Sequence, residues 1–226
     1  MTPLDQDRLQ AAERELRHRL DRCGSWFQRL QFSYKRSVIR QSALLSYVSP
    51  SGTVVDVGCG TGIVSCLLAL ALPGKRVVGL DIDRRRIDWC SRLARGIPNV
   101  TFLHADIQNY IFPPIQEAIC LDVLHHLPPS AQDRLVFSIA ANLSSGGRFI
   151  LFEVDKNPHQ RWKYWMSLLA DYVFYPFQEK ANFWRSDALL DLFRRAGLEP
   201  ETVQPLSSPI VAPILYVGRR VTAEDA

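Results

Sequence analysis

A predicted strand that runs directly into three closely spaced glycines is the feature that most constrains the fold of this chain. The apolar and β-branched residues Thr53–Val57 predict a strand, and the apolar run Ile63–Leu72 predicts a helix. Gly58, Gly60 and Gly62 fill the turn between them, where glycine adopts positive φ without steric cost. A strand, a glycine turn and a helix in this order are typical of α/β folds that bind an adenosine-containing ligand.

After the glycine turn, short β-branched runs alternate with longer helical segments, which predicts a parallel sheet covered by helices. Further strands are predicted at Val77–Leu80, Val100–Leu103, Ala118–Leu121 and Arg148–Glu153. The helices between these strands are predicted at Arg84–Arg95 and Ser130–Asn142. A length of 226 residues suffices for one full α/β domain and leaves little room for a second.

The C-terminal part of the chain is predicted to complete this sheet. Gly146-Gly147 makes the turn into the fifth strand, and a helix capped by Ser186 ends at Gly197. The extended runs Thr202–Pro205 and Val211–Val217 then predict a hairpin that closes the sheet.

Two helices are predicted ahead of the first strand, over residues 5–22 and 26–48, from apolar residues at three- and four-residue spacing. The predicted organisation is an N-terminal helical cap, residues 1–49, followed by a core, residues 50–226. Within the core, residues 155–185 are rich in aromatic side chains and are expected to form a lid insertion.

Charge and cysteine content limit the location of the protein and its partners. Residues 1–40 carry nine Arg or Lys against five Asp or Glu, which accounts for the formal net charge of +4. This basic face is either solvated or in contact with acidic lipid headgroups or nucleic acid. The longest apolar stretch is far shorter than the roughly 20 residues of a membrane span, which favours a cytoplasmic protein, with contact at the inner membrane face as the alternative. The five cysteines are odd in number and scattered, so we expect reduced core thiols and no metal site.

Two acidic residues beside the glycine turn predict the charge of the ligand. Asp56 lies on the strand just before the turn, whose spacing is GxGxG rather than the GxGxxG of dinucleotide sites. A dinucleotide would bring an anionic pyrophosphate here, whereas an acid favours the cationic sulfonium and ammonium groups of S-adenosylmethionine. Asp81, at the end of the second strand, is either an acceptor for ribose hydroxyls or a simple turn residue.

The segments Val54-Val55-Asp56-Val57-Gly58-Cys59-Gly60-Thr61-Gly62 and Val78-Gly79-Leu80-Asp81-Ile82-Asp83 resemble the class I S-adenosylmethionine-dependent methyltransferase superfamily. The resemblance covers roughly residues 50–155. It implies a Rossmann-like α/β fold with a mostly parallel seven-stranded sheet, helices on both faces and an N-terminal helical cap. It also implies S-adenosylmethionine as cofactor and S-adenosylhomocysteine as product.

The resemblance further implies which residues bind the cofactor. The glycines would pack against the methionine part, Asp81 would hold the ribose, and Asp106 would meet the adenine amino group between Ile82 and Ile107. The complete predicted cofactor set is Asp56, Gly58, Cys59, Gly60, Gly62, Asp81, Ile82, Asp106, Ile107 and Leu121.

The segment Leu121-Asp122-Val123-Leu124-His125-His126-Leu127 resembles the "DVLHHL" signature of the small-molecule branch of this superfamily. The Asn/Asp-Pro-Pro-aromatic motif of enzymes that methylate nucleobase or glutamine amines is absent. His125, His126 and Glu153 are the predicted catalytic residues, because an imidazole or a carboxylate can remove a proton from the acceptor. Their alternative roles are structural: helix capping and packing for the histidines, and an ion pair with Lys156 or Arg161 for Glu153.

Aromatic residues predict the nature of the acceptor. The insertion at residues 155–185 holds nine of the 23 aromatic residues of the chain, which suits an apolar or aromatic substrate. The predicted substrate-binding residues are Tyr34, Trp162, Trp165, Tyr172 and Tyr175. With its short helical N-terminus and the segments Leu121–Gln132 and Ile150–Asp155, the chain also resembles methyltransferases of bacterial aryl-polyene and fatty-acid-like biosynthesis.

The resulting prediction is O-methylation of a hydrophobic or aromatic small molecule, acyl chain or carrier-linked substrate. C-methylation and N-methylation remain open, as does a homodimer formed through aromatic residues of the N-terminal helices. A cofactor-binding partner protein without chemistry is disfavoured because the glycine turn and Asp81 are both retained. RNA methylation is disfavoured because no RNA-binding module is recognisable, so no nucleic-acid partner is expected.

Overall fold

The structure, a computed structural model, describes residues 3–38, 41–154, 162–163, 165–166, 168–169, 182–206 and 213–221. In chain order its helices and strands are α1 (Pro3–Cys23), α2 (Trp26–Val38), α3 (Gln41–Tyr47), β1 (Gly52–Val57), α4 (Ile63–Ala71), β2 (Lys75–Asp81), α5 (Arg84–Leu93), β3 (Val100–His104), β4 (Ile115–Leu121), α6 (Pro129–Asn142), β5 (Leu143–Val154), α7 (Ser186–Arg195), β6 (Leu198–Pro205) and β7 (Pro213–Arg220). A short 3₁₀ turn, Leu124–His126, follows β4.

The strands form one seven-stranded sheet in the order β3-β2-β1-β4-β5-β7-β6. β2 runs parallel to both β1 and β3, and β4 runs parallel to β5. β7 runs antiparallel to both β5 and β6. The predicted Rossmann-like, mostly parallel α/β sheet is therefore confirmed, together with its C-terminal hairpin.

By packing, the chain divides into two compact units. The N-terminal unit comprises Met1–Arg36 and Arg40–Tyr110, and the C-terminal unit comprises Ser37–Ile39 and Ile111–Ala226. This division differs from the predicted cap at residues 1–49 and core at residues 50–226, which stays a prediction.

In the N-terminal unit, α1 packs against α4 and α5. Its contact face consists of Leu9, Ala12, Leu16 and Leu20, which are all buried and recur at helical spacing. Residues 54–57 of β1 are buried without alternation, as expected for a strand inside a parallel sheet. This buried strand fixes the position of the glycine turn that follows it.

In the C-terminal unit, β5 begins earlier than predicted. Between the pairs Ile115↔Leu143 and Glu117↔Arg148, β4 advances by two residues while β5 advances by five, so the ladder is irregular there. Gly146 lies in this irregular stretch with φ 68°, in the left-handed region that the prediction required. The expected turn is thus an irregularity within β5, and the buried part of the strand leads to Glu153.

Several predicted boundaries need correction. The residue that caps α7 is Arg185, whose backbone is extended and whose side chain makes no cap bond, so Ser186 is the first helical residue. Cys23 is exposed, whereas the other four cysteines are buried thiols as expected. The strand β6 begins at Leu198, four residues before the predicted start, and Val211 lies outside the described residues.

The predicted second helix, residues 26–48, corresponds to α2 and α3, and residues 39–40 between them lie outside the described part of the chain. Within the described ranges, no helix combines the length and the apolar composition that crossing a bilayer requires.

Arg19 of α1 gives a test of this packing. Its Nη1 donates to the carbonyls of Arg95 (2.7 Å) and Leu93 (3.3 Å) at the end of α5, and its Nε pairs with Glu15. We expect Arg19→Met to lower the free energy of unfolding by about 1–2 kcal/mol, because carbonyls at a helix end lose a charged donor. Urea denaturation measures this, with the exposed Arg22→Met as the control that changes stability by less than about 0.5 kcal/mol. Equal stability of the two variants would contradict the prediction.

Candidate functional site

The glycine turn after β1 has one crowded position and one open position. Gly58, Gly60 and Gly62 all have positive φ, at 73°, 58° and 68°. A Cβ on Gly62 would lie 2.8 Å from both Cys90 Sγ and the Phe102 ring, so glycine is required there by packing. A Cβ on Gly60 would meet only Lys35 Nζ, at 3.9 Å, among the described residues. The Gly60 side of the turn is therefore the side that can receive a ligand.

Phe102 of β3 also explains a glycine that lies outside the turn. A Cβ on Gly79 of β2 would lie 2.6 Å from Phe102 Cδ1. The Phe102 ring thus occupies the space that both Gly62 and Gly79 leave empty. It thereby packs the Gly62 end of the turn against β3.

Asp81, at the end of β2, is fixed to the glycine turn by its side chain. Its Oδ2 accepts a hydrogen bond from Gly60 N at 2.9 Å, and its Oδ1 accepts one from Asp83 N at 2.8 Å. Arg86 Nη1 lies 3.8 Å from Oδ2, and Asp81 is only 5% exposed. Each carboxylate oxygen keeps a second lone pair, so Asp81 can hold the turn and still accept from a ligand hydroxyl.

Asp56, the last residue but one of β1, is a buried acid beside the turn. It is 2% exposed, and its Oδ2 accepts a hydrogen bond from Ser65 of α4. Burial raises the pKa of Asp56 to about 6, although the Ser65 hydrogen bond and the positive charge of Lys35 lower it and the charge of Asp81 raises it further. The ionised carboxylate is under-compensated, so a cation placed beside it would stabilise its charge.

The remaining predicted cofactor residues differ in exposure. Ile82 is 62% exposed just after β2, whereas Ile107 is 8% exposed. Asp106 is half-buried and accepts hydrogen bonds from Gln108 N (3.0 Å) and Asn109 Nδ2 (2.7 Å). Ile82 therefore offers an apolar surface to a ligand. The Asp106 side chain is fixed by hydrogen bonds from the residues that follow it.

Two further predicted cofactor residues are buried. The Cys59 thiol has a raised pKa, caused first by its hydrogen bond with Cys90 and then by burial, so it is an inert packing group. Leu121 ends β4 in the C-terminal unit and is 5% exposed.

Sequence reasoning missed three polar residues of the N-terminal unit. Gln31 of α2 is 5% exposed, and its Oε1 has no hydrogen-bond partner among the described residues. The same holds for the buried Oγ1 of Thr61, inside the turn itself. Lys35, counted in the sequence only as part of a basic segment, lies over Gly60. The positions of Gln31 and Lys35 depend on how α2 packs, and no local sequence motif marks that packing.

In the C-terminal unit, His125 and Glu153 form a buried pair. His125 Nδ1 lies 2.6 Å from Glu153 Oε2, and Leu124 N donates to Oε1 at 2.8 Å. His125 is 0% exposed and Glu153 is 3% exposed. A carboxylate oxygen at this distance suits an Nδ1–H donor, and in the neutral imidazole that tautomer leaves Nε2 without a proton. The predicted alternative partners of Glu153, Lys156 and Arg161, lie outside the described residues.

The His125 ring is covered by the segment that precedes α7. Phe183 stacks on it with the ring centroids 4.5 Å apart, and Asn182 N donates to His125 O at 2.7 Å. His126, whose ring centroid lies 4.0 Å from that of His125, is half-buried as a residue, but both of its ring nitrogens are buried. Asp122, just after β4, has φ 62°, a strained conformation that sequence reasoning did not predict.

Gln132 of α6 joins this covering segment to the histidine turn. It is 1% exposed, and its Nε2 donates to Leu127 O (2.9 Å) and Asn182 O (3.1 Å). Its Oε1 accepts from Trp184 Nε1. A cavity of about 590 Å³ lies here, lined by Pro129, Gln132, Asn182, Phe183, Trp184, Arg185 and Ala188.

The predicted substrate residues are only partly described. Trp162 and Trp165 are 58% and 64% exposed, and Tyr34 of α2 is half-buried. Tyr172 and Tyr175 lie outside the described residues. Their role in substrate binding stays a prediction.

Comparison with known proteins finds a family that matches the central part of this chain. Residues 54–147, from β1 into β5, match the family described as a methyltransferase domain. This match supports the resemblance of the chain to the class I S-adenosylmethionine-dependent methyltransferase superfamily. The resemblance first seen in the glycine turn is thereby confirmed.

Two relatives match this chain over about half of their own length. The chain is 30% identical over 127 residues to ubiquinone biosynthesis O-methyltransferase of Proteus mirabilis (strain HI4320), covering 53% of this chain and 48% of that protein. It is 32% identical over 109 residues to 2-heptyl-1-hydroxyquinolin-4(1H)-one methyltransferase of Mycobacteroides abscessus, covering 46% and 47%. The chain thus spans about half the length of the curated relatives that it matches.

A solved structure extends the match in fold over most of the chain. Magnesium protoporphyrin IX methyltransferase of Synechocystis PCC 6803, with bound SAH, superposes with a TM-score of 0.65 at 20% identity. The superposition covers 87% of this chain and 88% of that protein.

The residues at the glycine turn fit the cofactor of this superfamily. S-adenosylmethionine carries two cationic groups, a carboxylate, a ribose diol and an adenine ring. The turn offers an under-compensated buried acid (Asp56), a fixed acceptor (Asp81), an exposed apolar side chain (Ile82) and an open backbone position (Gly60).

The raised pKa of Asp56 predicts a pH-dependent cost in stability. The pKa of the Asp56 carboxyl rises from 3.8 to about 6 on folding. The contribution of this carboxyl to stability is therefore fully present below pH 3.8 and is lost as the pH rises through 6, a difference of about 3 kcal/mol. We therefore expect Asp56→Asn to raise the free energy of unfolding of the cofactor-free protein by about 1–3 kcal/mol at pH 8, and by progressively less as the pH falls toward 4.

Urea denaturation across this pH range measures the effect. The matched control is Asp88→Asn, which removes an exposed carboxylate of α5 and should change stability by less than about 0.5 kcal/mol at every pH. A loss of stability in Asp56→Asn at pH 8 would show that the buried charge is fully compensated in the free protein.

Proposed function

We propose that this chain transfers a methyl group from S-adenosylmethionine to a hydroxyl group. The acceptor is a hydrophobic or aromatic small molecule, an acyl chain or a carrier-linked substrate. The observation that carries the proposal is the arrangement of Asp56 and Asp81 around the open Gly60 position. Two relatives support the choice of acceptor, since one is named an O-methyltransferase of ubiquinone biosynthesis and the other a methyltransferase of an alkylated hydroxyquinolinone.

Within the N-terminal unit, each part of the cofactor has a proposed partner. Asp56 stabilises the cationic end by charge, Asp81 accepts from the ribose hydroxyls, and Gly58, Gly60 and Gly62 let the backbone approach closely. The other predicted cofactor residues keep the roles given by the resemblance. When bound, S-adenosylmethionine supplies a methyl group activated by its sulfonium, so the protein has to align the acceptor, exclude water and remove a proton.

Within the C-terminal unit, the His125–Glu153 pair is the proposed proton acceptor. Glu153 holds the proton on Nδ1 and orients the ring, which leaves Nε2 to take the proton of the acceptor hydroxyl. Phe183 covers the ring, so the segment that carries Phe183 has to shift before an acceptor reaches Nε2. His126, the neighbouring histidine of the same turn, is the second candidate for the same role.

Contact with an acidic lipid surface is a further part of the proposal. Trp26 and Leu30, one helical turn apart on α2, are 69% and 45% exposed, and Arg29 is exposed beside them. Such a face would bring the protein to a membrane-dissolved acceptor. Lipid contact and homodimer formation both stay predictions.

Cofactor binding is tested first by isothermal titration with S-adenosylmethionine and S-adenosylhomocysteine. We expect micromolar binding that Asp81→Asn weakens at least tenfold, about 1.4 kcal/mol, because the amide accepts fewer hydrogen bonds than the carboxylate. Asp83→Asn is the matched control, since Asn replaces Asp equally well as the cap of α5. Wild-type protein that binds neither compound, or an Asp81→Asn variant that binds as tightly as wild type, would contradict the assignment.

The catalytic assignment is tested by methyl transfer to a panel of hydroxylated aromatic and acyl compounds. We expect His125→Asn to lower kcat by about 10²–10⁴-fold, the range of a lost general base, and His126→Asn by less than about tenfold. Unchanged cofactor binding in both variants serves as the folding control. The reverse order of effects would transfer the role to His126, and methylation only of amine or carbon acceptors would refute O-methylation.

A further inference from the structure

We propose that α2 holds the amino-acid end of the cofactor, with Lys35 pairing with its carboxylate and Gln31 accepting a hydrogen bond from its ammonium group. This inference rests on the proposed function, because it names two further binding residues for the same cofactor. Neither residue belongs to the motifs from which the cofactor site was predicted.

The position of Lys35 is the first support. Its Nζ lies 3.9 Å from the point that a Cβ on Gly60 would occupy, and it is the only described heavy atom within 4 Å of that point. The open side of the glycine turn therefore faces an ammonium group from α2. An anionic group of a ligand bound at this turn would meet Lys35 at short range.

The pattern of charge is the second support. An amino acid is a zwitterion, so its site needs one cation and one anion close together. Lys35 lies close enough to Asp56 for its charge to lower the pKa of the buried carboxyl. The turn thus presents a negative group for the ammonium of the ligand and a positive group for its carboxylate.

The buried amide of Gln31 is the third support. Gln31 lies four residues before Lys35 on α2, so both side chains lie on the same face of the helix. It is 5% exposed, and its Oε1 has no hydrogen-bond partner among the described residues. An unsatisfied buried acceptor is destabilising, and a ligand that donates an N–H to it would remove that cost.

Three adenosyl compounds separate the parts of the cofactor in a titration experiment. S-adenosylmethionine carries both the carboxylate and the ammonium group, decarboxylated S-adenosylmethionine carries only the ammonium group, and 5′-methylthioadenosine carries neither. We expect Lys35→Met to weaken binding of S-adenosylmethionine at least tenfold and to leave the other two compounds within twofold of wild type.

A matched control and a second variant distinguish binding from folding. Arg36→Met removes an exposed charge from the adjacent position of the same helix and should leave all three affinities within twofold of wild type. Gln31→Leu should weaken both compounds that carry the ammonium group by threefold or more, without weakening 5′-methylthioadenosine. Its melting temperature should equal or exceed that of wild type, because a buried unsatisfied acceptor is removed.

The outcomes separate this inference from the proposed function. Wild-type protein that binds S-adenosylmethionine and 5′-methylthioadenosine, together with a Lys35→Met variant that retains full affinity for S-adenosylmethionine, overturns the inference and leaves the proposed function standing. A Lys35→Met variant that weakens all three compounds equally also overturns it, because the lost contact is then not with the carboxylate. Wild-type protein that binds none of the three overturns both.

Discussion

The hydrogen bonds of the Asp81 carboxylate join two turns of the N-terminal unit, and the rest of the candidate cofactor site depends on them. One oxygen accepts from Gly60 in the turn after β1, and the other accepts from Asp83 in the turn after β2. Hydrogen bonds from backbone N–H groups to a carboxylate are charge-assisted and short, so both turns are held in one relative position before any ligand arrives. The helices α4 and α5 begin directly after these turns and inherit that position.

The two units use buried carboxylates in opposite ways. Glu153 is satisfied within its own unit, since it accepts from a backbone N–H and from the imidazole of His125. Asp56 accepts a hydrogen bond from the Ser65 hydroxyl, but burial still makes its carboxylate costly to ionise and therefore raises its pKa. A group that the protein leaves under-compensated favours a charged ligand, whereas a group that the protein satisfies orients its neighbour. In the proposed mechanism, Asp56 therefore stabilises the cation and Glu153 orients the base.

The parts of the site that follow directly along the chain were predictable from the sequence. The glycine turn and Asp81 belong to strand–turn units whose order is fixed by the backbone, so spacing alone located them. Lys35 and Gln31 were not predictable as site residues, because their place depends on the packing of α2 and on no local motif. His125 and Glu153 were each selected, but their pairing across 28 residues needed the register of β4 with β5. The cap of α7 shows the limit of a local rule, since an extended backbone at Arg185 starts the helix without a side-chain cap.

The ring of Phe102 restricts the side-chain size at two glycines that are distant in sequence. It fills the space beside Gly62 and Gly79, and any side chain at either position would collide with it. A mutation that adds a methyl group at residue 79 is consequently harmful on its own and less harmful once residue 102 has become smaller, when Cys59 Sγ, 3.0 Å from the added carbon, is the remaining close contact. Residue 62, with its positive φ, keeps its requirement for glycine even then. The effect of a substitution at residue 79 therefore depends on which residue stands at position 102, whereas position 62 requires glycine in either case.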